Sequence, residues 1–293
     1  MAGEREYPKV NGDVLYASEV NKLLGFGDGS DGAFNETAAS TTNLVQGTIY
    51  QYTSFTLGVN HTISAESASD KPIIILVQGD CTINGTINLS GKGSTTSYSQ
   101  AGVVSYPALY TGIGLVGQNG YYNGSNYVGG AGGRKGLKSW NFINNQKGFI
   151  MNGTSGGAGS GDNYAGSGGG GASSQNNGSG GGQGGNGAAG GSTGGVGGCS
   201  ILIIVGGDLT FGVDSSIDTS GADGAATSGT QSGGGGGGAG DILIFYNGDK
   251  TDNGLATDVT GGAGAAGSGG LGATGGNGAN GQSKIVAWNT ILW

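Results

Sequence analysis

Glycine recurs at every third position in several stretches of this chain, and that period limits what those stretches can become. In GSGGGQGGNGAAGGSTGGVGG (178–198) it occupies 178, 181, 184, 187 and 190, then after a one-residue slip 194 and 197. Further on it occupies 261, 264, 267 and 270, then 275, 278 and 281, and Gly130, Gly133 and Gly136 repeat the spacing. Three residues is the period of polyproline II, in which each third residue points the same way and glycine there admits a neighbouring backbone. Collagen is a poor match, because the 293 residues include only 3 prolines and the tracts are short. The spacing instead predicts several polyproline-II helices packed together within one chain, with extra glycines freeing a second face for a second neighbour. Such helices have no internal hydrogen bonds, so their buried amides must bond to adjacent helices, with weak Cα–H···O contacts helping. Ordering so much glycine is entropically costly. Without the period and the strands between the blocks, the composition would predict disorder.

Those strands belong to an internal repeat. IIILVQGDCTINGTINLSGKG from Ile73, ILIIVGGDLTFGVDSSIDTSGADG from Ile201 and ILIFYNGDKTDNGLATDVTGGAG from Ile242 align. Each has a five-residue apolar strand, a turn ending in Gly-Asp (Gly79-Asp80, Gly207-Asp208, Gly248-Asp249) and a second β-like stretch that enters glycine-rich sequence. KIVAWNTILW supplies a last strand. Continuous apolar strands predict burial on both faces, and a repeated unit predicts stacking in which each coil covers the next. The fold expected is all-β: β-solenoid-like repeated strands combined with a glycine-rich polyproline-II sandwich and one short N-terminal helix. That helix would be capped by Ser18, present Val20, Leu23 and Leu24 on one face and end at Gly25. Residues 1–43 read as an attachment segment and 44–293 as the body, with an insert of different composition at 94–150.

Several functions are disfavoured by composition. A net charge of −8 with 10% charged residues argues against nucleic acid and provides no polybasic patch for an anionic membrane. The start, MAGEREYPKV, lacks the apolar core of a signal peptide, and Ile73-Ile74-Ile75-Leu76-Val77 is too short to span a bilayer. Synthesis in a cytoplasm is expected, with incorporation into a virus particle as one route out. The two cysteines, Cys81 and Cys199, form no CxxC pair, and the single histidine is His61, so neither a metal site nor a cofactor is expected. The cysteines are readable either as a bridge or as two small buried apolar residues. GDGSDG reads as a turn cluster, since no later ligand completes a calcium loop. His61 lies in a β stretch without a nucleophile motif. Asp214 with Asp218, or Asp252 with Asp258, would have to supply a glycosidase pair, but they sit in turns of the repeat, where solvated aspartate is ordinary. No enzyme is expected.

Binding residues are expected in the insert. It holds six of the twelve tyrosines, Tyr98, Tyr106, Tyr110, Tyr121, Tyr122 and Tyr127, followed by Trp140, Phe142 and Phe149. Tyrosine among Ser, Gly and Asn offers large contact area at low entropic cost beside adaptable hydrogen bonds. The alternative is that these rings cover the edge of the glycine scaffold, and for Trp140 burial is the favoured reading. GDNYAG around Tyr164 and the segment 222–232 are shorter candidates, because loops at the ends of parallel rods vary freely. Seven N-x-S/T sequons, at Asn35, Asn60, Asn84, Asn88, Asn123, Asn152 and Asn177, read as turn and strand residues in the absence of a secretion signal.

NGDVLYASEVNKLLGFGDGSDGAFN (11–35) resembles the N-terminal portion of tail fibre and related tail proteins of tailed bacteriophages. The periodic glycine blocks with variable polar-aromatic loops, roughly 94–281, are similar in composition to the distal tail-fibre adhesins of T-even-type phages. The repeated strands at 73, 201 and 242 depart from those adhesins. The resemblance implies a polyproline-II sandwich whose loops bind a host receptor, a virion tail location, and other tail proteins and a host cell-surface glycan or protein as partners. Virion attachment would fall to Val14, Leu15, Tyr16, Val20, Leu23 and Leu24, and receptor binding to the aromatic residues of the insert. A homotrimer is one assembly state this allows and a single chain another. The rival is a tail, baseplate or capsid-decoration protein without direct receptor contact. An antifreeze role, which needs a regular Ala/Thr face, fits poorly with the mixed Gln183, Asn186, Ala189 and Val196.

Overall fold

The computed structural model describes residues 25–69, 71–93, 193–226, 233–267 and 274–288, together with the backbone of four short strands at 121–122, 127–128, 141–143 and 146–147. Among these residues the chain is all-β, with parallel sheets and almost no helix. It passes through the same three sheets five times. The first circuit is β1 (Ala33–Glu36), β2 (Thr41–Leu44) and β3 (Ile49–Tyr52); the second is β4 (Ser54–Leu57), β5 (Thr62–Ala65) and β6 (Ile73–Val77). The third begins with β7 (Cys81–Ile83) and β8 (Thr86–Asn88). Before it closes come β9 (Tyr121–Tyr122), β10 (Tyr127–Val128), β11 (Asn141–Ile143) and β12 (Gln146–Lys147), and β13 (Ile201–Val205) then completes it. The fourth is β14 (Leu209–Phe211), β15 (Ser216–Asp218) and β16 (Ile242–Tyr246), and the fifth is β17 (Lys250–Asp252), β18 (Ala256–Asp258) and β19 (Ser283–Ala287). Sheet A is thus β1-β4-β7-β14-β17, sheet B β2-β5-β8-β15-β18, and sheet C β3-β6-β13-β16-β19. Residues 33–43, grouped by sequence with the attachment segment, supply β1 and most of β2.

The aligned repeats pair in register: Ile201 lies between Ile73 and Ile242. Parallel strands stack about 4.8 Å apart, so each inward side chain meets its counterparts in neighbouring circuits. The resulting columns are Phe55–Cys81–Leu209 and Leu57–Ile83–Phe211 in sheet A, Ile63–Ile87–Ile217 in sheet B and Ile75–Ile203–Ile244 in sheet C. All are buried in one core. Branched aliphatics suit such columns because few rotamers are lost when they interdigitate. The Gly-Asp turns form a ladder of their own: the Asp208 N–H donates to the Asp80 carboxylate (2.9 Å) and the Asp249 N–H to that of Asp208 (2.8 Å). A Cβ on Gly207 or Gly248 would collide with the carboxylate of the previous circuit, which explains why glycine precedes aspartate there.

Both ends of the stack are closed. Where the fourth circuit points Leu209, Phe211 and Ile217 inward, the fifth has Lys250, Asp252 and Thr257 at the same register. Lys250 Nζ lies 3.3 Å from Asp252 Oδ2. The Asp252 carboxylate also accepts the N–H groups of Leu255 and Gly254 at 3.1 and 3.2 Å. Those backbone bonds, and then Lys250, hold its carboxyl below the usual range. At the other end Asp31 stands in for a missing strand. Its N–H donates to Gln51 O (2.9 Å) and its carboxylate accepts the Gln51 N–H (2.6 Å). Next to it, burial, then Tyr50 and then Asp31 push the Tyr52 hydroxyl up to about 12, so it stays protonated at neutral pH. Inward charge and occupied edge groups keep a sheet from adding further strands. Replacing the closing residues by those of the fourth circuit, Lys250→Leu with Asp252→Phe, is expected to create an apolar end that self-associates. Sedimentation velocity at micromolar concentration should show species larger than wild type; an unchanged sedimentation coefficient in the folded variant would contradict this account.

Candidate recognition face on the glycine segments

Every glycine-rich excursion leaves the stack at the same corner, between a sheet B strand and a sheet C strand. Segment 193–198 returns to β13, 219–226 leaves β15, 233–240 returns to β16, 259–267 leaves β18 and 274–281 returns to β19. The central segment, 233–240, bonds to all four others. The N–H groups of Gly234, Gly237 and Gly240 donate to Ala225, Ala222 and Thr219, at 3.4, 2.9 and 2.8 Å. Those of Gly236 and Ala239 donate to Gly276 and Ala279, at 2.9 and 2.8 Å. The carbonyls of Gly234 and Gly237 accept from Ala265 and Gly262, and those of Gly235 and Gly238 from Gly195 and Gly198. Each partner is reached at every third residue, so the period read in sequence is the period of this network.

The same geometry dictates where glycine is compulsory. A Cβ on Gly233 or Gly236 would overlap the carbonyl of Ala265 or Gly262, and one on Gly234 or Gly237 that of Thr193 or Val196. Two of every three positions are therefore closed to side chains, and 233–238 is all glycine. In segment 274–281, Gly275, Gly278 and Gly281 are crowded by the carbonyls of Gly234, Gly237 and Gly240, while Asn277, Ala279 and Asn280 carry side chains. Those asparagines close the outer side: Asn280 Oδ1 accepts the Gly261 N–H and Asn277 Oδ1 the Gly264 N–H, both at 2.9 Å. The corresponding N–H groups one circuit earlier, on Gly221 and Gly224, donate to the backbone of Thr260 and Ala263. In 193–198, Gly195 and Gly198 are crowded, by the carbonyls of Ala222 and Thr219. The asparagines were missed in sequence, although their three-residue spacing beside glycine was a usable signal.

The segments converge at their outer ends. The Ala225 N–H bonds to Thr193, Gly234 to Ala225, Ala265 to Gly234 and Gly275 to Ala265. Thr193, Ala225, Gly234, Ala265 and Gly275 therefore all lie at this one end of the lobe. Of the expected receptor-binding residues, Tyr121, Tyr122, Tyr127 and Phe142 fall in described backbone. Tyr122 pairs antiparallel with Tyr127, Tyr121 pairs with Val128, and Phe142 lies in β11, which pairs with β12. Tyr98, Tyr106, Tyr110, Trp140, Phe149 and Tyr164 lie outside the described residues, as do Val14, Leu15, Tyr16, Val20, Leu23, Leu24 and the Ser18-capped helix.

The titratable groups considered for chemistry have structural partners. His61 is buried. Its Nδ1 lies 2.9 Å from Ala38 O, which can only accept, so the proton sits on Nδ1; Ser40 Oγ is 3.0 Å from the same nitrogen. Nε2 lies 2.9 Å from Thr42 Oγ1. Asp218 and Asp258 are register neighbours in sheet B, rather than each pairing with an aspartate of its own repeat. Asp218 accepts the Ser220 N–H (2.8 Å) and Asp258 the Thr260 N–H (2.9 Å), and Asn88 does the same for Ser90. Cys81 and Cys199 are buried and not joined in a disulfide, and burial, followed by the charge of Asp80, raises the Cys81 thiol. Among the described residues, no group of three or more His, Cys, Asp or Glu side chains is placed to hold a metal ion, and no helix is long and apolar enough to cross a membrane.

No family model, curated protein or solved structure matches this chain.

Two outcomes follow from this packing. Gly237→Ala forces a methyl group against the Val196 carbonyl and should lower unfolding stability by about 3 kcal/mol, whereas Ala279→Gly should cost about 1 kcal/mol; urea unfolding of the two variants measures the difference. Iodoacetamide should leave both cysteines unmodified in the folded protein and label both in 6 M guanidinium, as counted by intact mass.

Proposed function

We propose that this chain is a tail adhesin of a tailed virus. It would attach to the virion through its N-terminal segment and bind a host cell-surface glycan or protein through aromatic loops. Its body would be β-solenoid-like and carry a sandwich of polyproline-II glycine helices. The observation that carries the reading is the convergence of the glycine segments: a lobe cross-bonded at every third residue brings the outer ends of all five segments together. A rigid frame with variable loops at its tip is the arrangement recognition calls for, because loop sequence changes without disturbing the frame. The polyproline-II assignment is supported by the three-residue bonding period and by backbone sign. Among the described residues, the glycines with positive φ are 25, 27, 29, 32, 47, 91 and 254, all outside the bonded glycine segments. The bonded His61 and the turn-forming aspartates support a binding role over a hydrolytic one. The tyrosines at 98–127, with Trp140 and Phe142, would supply the contact surface.

Tyr121→Ala with Tyr122→Ala tests this. The double variant should keep the wild-type circular dichroism and thermal midpoint while its binding to host cells falls by about tenfold or more, the loss expected from two aromatic anchors. Undiminished adsorption, or failure of the purified wild-type protein to bind cells or block infection, would favour the assembly or decoration role instead.

A further inference from the structure

In an Asn-Gly pair the side-chain amide carbon is open to attack by the following main-chain nitrogen, because glycine has no Cβ to hold that nitrogen away. Five such pairs lie among the described residues: Asn84-Gly85, Asn247-Gly248, Asn253-Gly254, Asn277-Gly278 and Asn280-Gly281. Ring closure needs a glycine amide that can leave its hydrogen bond and room for the nitrogen to turn toward Cγ. It also needs solvent, to take the proton and later to supply water.

Four of the pairs are held by their neighbours. The N–H groups of Gly248, Gly278 and Gly281 donate to the backbone carbonyls of Gly207, Gly262 and Val259, at 2.9, 2.9 and 2.8 Å. A Cβ on Gly278 or Gly281 would overlap the carbonyl of Gly237 or Gly240, and one on Gly248 the Asp208 carboxylate. Gly85 is buried with the carbonyls of Gly58 and His61 against it, and Asn84 lies against Gly212. Asn253-Gly254 differs in each respect. It forms the corner between β17 and β18, the last strands of their sheets, and both residues are exposed. The Gly254 N–H donates to a side chain, Asp252 Oδ1, at 3.2 Å, a bond that one side-chain rotation breaks. Its φ is +119°, and the nearest atom to a Cβ built there is Val213 O at 3.8 Å, so the ring has room to close.

We propose that Asn253 is a self-modification site whose conversion to isoaspartate loosens the closing circuit. The Gly254 nitrogen bonds to Asn253 Cγ as its proton passes to solvent base. The Cγ–Nδ2 bond then breaks, and the nitrogen leaves as ammonia after taking up a proton from water. Water opens the resulting succinimide in one of two ways. Cleavage of the new Cγ–N bond gives aspartate; cleavage between the main-chain carbonyl carbon and the same nitrogen gives isoaspartate, with the chain running through the side chain. Water is consumed, ammonia is released, and nothing is oxidised or reduced. Phe211 O accepts both the Asn253 N–H (3.2 Å) and Nδ2–H (3.0 Å). Either product replaces the Nδ2 donor with a carboxylate that cannot donate to that carbonyl, and adds a negative charge next to Asp252. Isoaspartate also lengthens the main chain by one carbon inside the turn that Asp252 closes through Gly254 and Leu255. The proposal does not depend on the adhesin reading.

The test ages the full chain at mildly alkaline pH, below its thermal midpoint, and maps its peptides by electron-transfer fragmentation, which separates isoaspartate from aspartate at each site. Asn253 should convert about tenfold or more faster than Asn84, Asn247, Asn277 and Asn280, whose surroundings must open before attack. In guanidinium the five rates should converge. Asn253→Gln, which would have to close a larger and slower ring, should remove the signal at 253 and leave the other four unchanged. Aged wild type should exchange amide hydrogens across Lys250–Asp258 about fivefold faster than fresh protein, the effect of one lost hydrogen bond, while aged Asn253→Gln should match its fresh form. Equal conversion of Asn253 and Asn277 in the folded protein, the same preference persisting in guanidinium, or conversion without faster exchange would each overturn the proposal.

Discussion

The structure depends on backbone-to-backbone proximity that any side chain would prevent. In the glycine lobe each bonded segment sits against the carbonyls of its neighbours at a distance where a Cβ would overlap them. That proximity lets amides without local partners find acceptors on adjacent segments. It also offsets part of the entropy lost in ordering glycine, since a dense network replaces solvation. The lobe is nevertheless not autonomous. Its segments are held in phase because the strands they connect, β13, β16 and β19, are locked in register by the isoleucine columns. The apolar core sets the spacing, and the lobe inherits it.

The same inheritance explains the ends. A stack of identical circuits has no intrinsic stopping point, so termination has to be written into side chains. Here it takes three forms: inward charge at Lys250 and Asp252, strand mimicry by Asp31, and amide-to-backbone capping by Asn277 and Asn280. Each stands where the preceding circuit has an apolar residue or a backbone group. The stack is thereby finite along its axis.

Much of this was legible in the sequence. The three aligned repeats predicted parallel strands in register, and Gly79-Asp80, Gly207-Asp208 and Gly248-Asp249 marked equivalent turns. The triplet glycines predicted inter-segment bonding, whereas the six consecutive glycines of 233–238 were not singled out. The first two circuits were less visible. Strands such as Ala33–Glu36 and Thr41–Leu44 are four residues long and half polar, so neither period nor hydropathy singles them out, and only pairing with β4 and β5 defines them. The roles of Asp31, Asn277 and His61 were invisible for a related reason. Each is fixed by a partner about 13 to 23 residues away, and an isolated polar residue carries no signal of what lies across a gap that folding closes. The aspartate pairs were misgrouped because register places Asp218 beside Asp258, 40 positions on in the sequence.

The triplet network also has a consequence for how such a chain can change length. An excursion that grows by one or two residues turns its side chains into the neighbouring carbonyls and rotates its amides off their acceptors. Growth by three preserves both. The lobe is therefore a ruler with three-residue graduations: lineages of this molecule should extend or retract the bonded segments in whole triplets.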